Sequence, residues 1–189
     1  MKRNMVRSYK ELRTIIGMIG ILLPFALLIG NWGFMPSISQ YYYTDMRNLF
    51  VGALCAVSMF MFVYVGYDKI DSITTAIIGL FALGVAFFPC EGWTRTYHLL
   101  SAVIVFASFG YLSFFRFTKH GPQITQRKVY RNLIYRTCGA LILLSLVAVI
   151  VYFLSGKNIP EFIYWAEVVM LEAFGFSWLI KGGSILGDK

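Results

Sequence analysis

Charge is what this chain has least of. Only 14% of its 189 residues are Asp, Glu, Lys or Arg, where a soluble domain uses roughly 25% to keep its surface wet. That shortage excludes a water-soluble globule, and a hydrophobic content of 58% excludes intrinsic disorder. Cysteine is scarce too. Cys55, Cys90 and Cys138 are odd in number and have no CxxC spacing, which excludes a disulfide-stapled scaffold; they read as small packing residues. Histidine is limited to His98 and His120, and the chain has no GxSxG elbow, no HExxH and no phosphate loop.

What the chain does have is long stretches without charge, with a mean hydropathy of +0.68. A helix needs about 20 mostly apolar residues to cross a hydrocarbon core of roughly 30 Å. Five such stretches are 14–30, 49–67, 72–90, 96–115 and 137–156, and 162–180 completes the set although it contains Glu167 and Glu172. Barrel strands would alternate over about ten residues, and no water is present in the bilayer to satisfy an open backbone. The expected fold is therefore all-α, one bundle of six transmembrane helices. The first stretch follows a basic start but lacks a small-x-small cleavage site, so it is expected to stay as the first helix. No internal repeat is evident, and Pro24 in the first span has no counterpart in the fourth.

Lys and Arg set the orientation. Fourteen of the 17 fall on the side of the two termini, against Arg47, Arg95 and Lys157 opposite, so both termini are expected in the cytoplasm of a cell-membrane protein. The net charge of +8 is then mostly topology signal with attraction to anionic lipid. The basic segment 119–131 reads as a cytoplasmic linker near headgroups. Without an aromatic platform it does not point to nucleic acid. Small residues four apart, Gly52 with Ala56 and Ala82 with Ala86, suggest close helix contacts. Pro24 should kink its helix or find a neighbour to compensate.

Ionisable residues inside spans are costly and usually functional. There are three: His98, Glu167 and Glu172. Five residues separate the two glutamates, roughly 140° around a helix, so separate environments are expected. Glu172 should lie near the midplane, protonated and hydrogen-bonded to a serine layer of Ser58, Ser108 and Ser145. It is either a structural hub or a proton or ligand site. Near the outer boundary, His98 and Glu167 lie below the loop residues Asp45 and Glu91. The segment 37–47, which holds Tyr41, Tyr43, Asp45 and Arg47, is too polar to span and too aromatic for an ordinary loop. It is either an interfacial anchor or a lid over an outward pocket. One His with scattered carboxylates falls short of a zinc donor set, so no metal or other cofactor is expected. Ser39, His98 and Asp45 are a weak nucleophile set.

The stretch SISQYYYTDMRNLFVG at 37–52 resembles a family of six-helix microbial membrane proteins catalogued as domain of unknown function 998. YVGYD at 64–68, Phe88-Pro89, His98 and FGFSWLIKG at 174–182 support that resemblance, which spans about residues 15–182. It implies a six-helix bundle and no particular activity. More distantly, the chain is similar to membrane hydrolases of the alkaline ceramidase and adiponectin receptor type, which carry Ser-x3-His and His-x3-His pairs around zinc. Here Tyr43 stands four after Ser39, and Ala102 four after His98, in place of the histidines.

Two classes remain. One is a transporter-like or sensor protein that binds membrane lipid or a small molecule through Tyr41, Tyr43, Asp45, Arg47, Glu91, His98, Glu167 and Glu172. The other is a lipid hydrolase with its site on the outer side. An accessory subunit without a ligand is a third possibility. The oligomeric state is not legible.

Overall fold

A computed structural model describes residues 2–119, 125–156, 159, 161–183 and 185–186. His120 and Lys157 lie outside the described residues. The chain is all-helical, with no strand among those residues. Its α-helices are α1 (Lys2–Asn31), α2 (Arg47–Val63), α3 (Lys69–Phe87), α4 (Arg95–Tyr111), α5 (Gln126–Ser155) and α6 (Phe162–Gly182). Two short 3-10 helices (Ile38–Tyr43 and Gly92–Thr94) occupy connections, and a π-helical turn (Leu112–Arg116) extends α4.

Five helices are long and apolar enough to cross a membrane, and α2 is a shorter apolar helix of 17 residues. The predicted second span ran to residue 67. The helix instead stops at Val63, and the chain continues extended from Tyr64. A tyrosine makes this early exit possible. Tyr9 Oη donates to Val65 O at 2.9 Å and accepts Val65 N–H at 2.8 Å, so both backbone groups are satisfied outside the helix.

Helix α3 begins at residue 69 rather than 72 because Asp68 caps it, accepting the N–H groups of Ile70 and Asp71 at 3.0 and 3.2 Å. The larger correction concerns α5. The sequence 126–131, read as part of a linker, is helix. Thr125 caps it by accepting Lys128 N–H at 3.2 Å, and the helix runs 30 residues to Gly156, whose φ of 63° ends it. Gaps between charges mark only the part of a helix that lipid covers, and the basic turns before it were invisible to that measure.

Successive helices pack side by side, and α6 returns to α1, closing a ring of six. Aromatic side chains fill its middle. Trp178 is packed edge-on by Phe60, Tyr64 and Phe117, and Phe109 stacks on Phe174. One close backbone approach joins α1 to α6. A methyl group on Gly175 would lie 2.6 Å from Gly17 O, and one on Gly17 would lie 2.9 Å from Gly175 O. The expected contact at Gly52 does not form, since a methyl there meets nothing within 4 Å. Ala82 and Ala86 are buried. The Tyr164 hydroxyl lies 3.5 Å from the carbonyl of Pro24 in α1.

Candidate functional site

The 37–47 segment folds into the 3-10 helix Ile38–Tyr43 and lies against the start of α6. The first N–H groups of any helix lack internal partners. Here the Glu167 carboxylate supplies one: its Oε2 accepts Ile38 N–H at 2.6 Å, and Ser39 N–H faces the same carboxylate. Two contacts tie the far side of the segment to the α3–α4 connection. Gln40 Nε2 donates to Glu91 Oε1 at 3.2 Å, and Glu91 N–H donates to Tyr43 Oη at 3.0 Å. Tyr41 is fully buried and donates to Gly33 O at 2.9 Å, and burial raises its phenol pKa.

His98 opens α4 and is 2% exposed. Its Nδ1 lies 2.8 Å from Phe88 O, which ties α4 to the end of α3. No hydrogen bond joins it to Ser39 among the described residues.

A cavity of about 890 Å³ lies between this lid, α4, α5 and the start of α6. Its mouth is polar, with Ser37, Ser39 and Gln40 from the lid, Glu91, Arg95 and His98 from the α3–α4 corner, and Glu167 from α6. Below the mouth its wall is apolar, with Leu99, Val103 and Phe106 from α4 facing Leu146, Val149 and Phe153 from α5. Ile150, Phe153 and Leu154 line it while remaining exposed, so the cavity is open to the side. Cys90 also lines it, and burial pushes its thiol pKa up.

The predicted site residues are therefore divided. Glu91, His98 and Glu167 come together around the cavity, and Tyr43 braces it through Glu91. Tyr41, Asp45, Arg47 and Glu172 are not in its lining. Asp45 is exposed, and Arg47 is turned onto Tyr42, bonding its hydroxyl at 2.5 Å. The expected serine layer around Glu172 does not form. Ser58 donates to Gly79 O at 2.6 Å, and Glu172 Oε1 is buried without a hydrogen-bond partner. A different pair meets inside the bundle, Ser113 with Ser177 at 3.0 Å. Among the described residues no three of His, Cys, Asp and Glu converge as metal donors.

The opposite end of the bundle holds a charge network that sequence reasoning missed. Arg116, 6% exposed, donates from Nε to Asp71, 4% exposed, and from Nη2 to Asp68. Asp71 also accepts Tyr67 N–H at 2.8 Å, and Lys119 donates to Asp68 at 2.8 Å. Lys119 and Arg116 hold the Asp68 carboxyl well below the usual carboxylate range. Arg116 is one of the fourteen cations in the topology count, and Asp71 stands just before the stretch that starts at 72. The i, i+3 spacing of Asp68 and Asp71, which puts them on one side of a helix start, was the available clue.

No family model matches this chain, and neither a curated protein nor a solved structure does.

Proposed function

We propose that this chain is a six-span cell-membrane protein with both termini cytoplasmic, and that it binds one amphiphile, a lipid or lipid-like small molecule, in the cavity under the 37–47 lid. It would act as a transporter-like or sensor protein. One observation carries this reading: the cavity is polar at its mouth, apolar along α4 and α5, and open to the side. Its volume falls within the roughly 300–1,000 Å³ of small-molecule sites. A headgroup would meet Glu91, Arg95 and Gln40, and an acyl chain would lie along Val103, Phe106 and Val149.

The membrane setting is supported at the cavity end by Trp32 and Trp93, which are 92% and 85% exposed, as interfacial anchors are. Helix α2 at 17 residues covers about 26 Å, and Tyr64–Gly66 would complete its crossing. Kinship with the six-helix family named above belongs to the same proposal.

The test is lipid retention. Protein purified in mild detergent and released in a mass spectrometer should carry one amphiphile per chain. Val103→Trp, which fills the apolar wall, should abolish that adduct while leaving thermal unfolding intact. An unchanged adduct in the filled variant would sink the proposal.

A further inference from the structure

Helix α4, with its π-helical extension, touches α5 at one end and parts from it at the other. A methyl group on Gly110 of α4 would lie 2.6 Å from Leu143 Cγ and 3.4 Å from Ile142 Cγ2 of α5, and one on Gly139 of α5 would lie 2.6 Å from Phe114 Cβ. Glycine at both positions lets the helices close up there. Towards Arg95 and Leu154 they part around the cavity. Exposure along the α5 wall falls with depth: Leu154 is 82% exposed, Phe153 42%, Ile150 40% and Leu146 8%. The side opening therefore serves the upper part of the cavity, and the lower part is closed. Met170 of α6, 2% exposed, lines that lower part. One turn further down, Ile142 is fully buried and Phe109 stacks on Phe174 with ring centres 3.9 Å apart, which seals the bottom.

We propose that this blind end limits chain length, so that the cavity selects a medium-chain amphiphile that inserts one alkyl chain of about ten carbons. The inference rests on the amphiphile reading above and narrows it. From Leu99 to Phe106 the apolar α4 wall is about 10 Å tall, and from Leu146 to Leu154 the α5 wall is about 12 Å tall. A fully extended chain advances about 1.2 Å per bond, so about eight to ten carbons reach from the polar mouth to the floor. A shorter chain leaves the floor residues without contacts. A longer one meets the Phe109–Phe174 stack, and a close-packed interior does not yield without cost, or it must bend back out through the side.

The experiment places the full chain in amphipol and offers it mixtures of lysophosphatidylcholines with hexanoyl to tetradecanoyl chains. Native mass spectrometry reads which stays bound. The decanoyl form should be favoured about a hundredfold over hexanoyl and about fivefold over tetradecanoyl. Leu146→Ala, which deepens the floor, should move the preferred chain up by about two carbons. Leu144→Ala, on the exposed side of the same helix, should leave the decanoyl preference unchanged. Should Leu146→Ala lose its thermal transition, Phe106→Leu takes its place, with the same shift expected. Equal retention of all lengths, retention that still rises at tetradecanoyl, or an unmoved optimum in the floor variants overturns the length limit and leaves the amphiphile reading standing. Retention of no homologue at any length overturns both.

Discussion

Glu167 accepts the backbone N–H of Ile38 at 2.6 Å, joining positions 129 apart in sequence. An acid within a predicted span thus gives its carboxyl oxygen to the open end of a short helix, and through that helix it holds the lid over the cavity. Glu167→Ala leaves the N–H groups of Ile38 and Ser39 unpaired. The expected loss is about 1–3 kcal/mol, visible in thermal unfolding together with faster amide exchange at those two residues. Unchanged exchange would mean that another group holds the lid.

The buried pair of Asp71 and Arg116 gives an asymmetric prediction. Removing one partner strands a charge, and Asp71→Leu should cost about 3–5 kcal/mol. The double change Asp71→Leu with Arg116→Met should be less damaging than either single one, as a double-mutant cycle on unfolding would reveal. Simple additivity would rule out a direct energetic link.

Asp68 makes stability depend on pH. Its carboxyl pKa is depressed in the folded chain, chiefly by Lys119 and then Arg116. A depressed acid stabilises the fold above its unfolded pKa of about 4 and loses that contribution as pH falls towards the folded value. The melting temperature should therefore decline below about pH 4, and Asp68→Asn should flatten part of the decline. Because Asp68 and Lys119 are each 42% exposed, salt should shrink the difference between variant and parent.

Gly175 and Gly52 form a contrasting pair. Gly175→Ala pushes a methyl against Gly17 O, Ile21 Cγ1 and Ile21 N, at 2.6, 2.6 and 2.9 Å, and the two backbone atoms cannot swing away. Overpacking of this kind costs about 1–3 kcal/mol. Gly52→Ala enters open space and should be neutral or slightly stabilising. Parallel melting curves decide the matter, and equal losses would mean that α1 and α6 do not meet through their glycines.

The fold was legible where lipid dictates it. Stretches of the required length with little or no charge marked all six helices, five of them free of Asp, Glu, Lys and Arg and the sixth holding Glu167 and Glu172, because a membrane tolerates few charges. The ends were less legible, since they depend on individual bonds such as Tyr9 to Val65 or the cap at Thr125. Around the cavity, Glu91, His98 and Glu167 could be grouped from shared depth alone. Depth says nothing about direction around a helix, which is why Glu172 was assigned serine partners that it does not bond, Ser58 donating to Gly79 O instead. Arg116 and Asp71 were missed for a related reason: each sat at the edge of a span, where charge is ordinary, and only the fold brings them together.

Helix α5 runs unbroken for 30 residues, about 45 Å. Lys128 stands near its first turn, while Leu146, Val149 and Phe153 stand far along it in the cavity wall. Such a rod is a lever. A small tilt at its first turn becomes a larger displacement at the cavity wall. The cavity wall and the basic start of α5 are thus two ends of one stiff element.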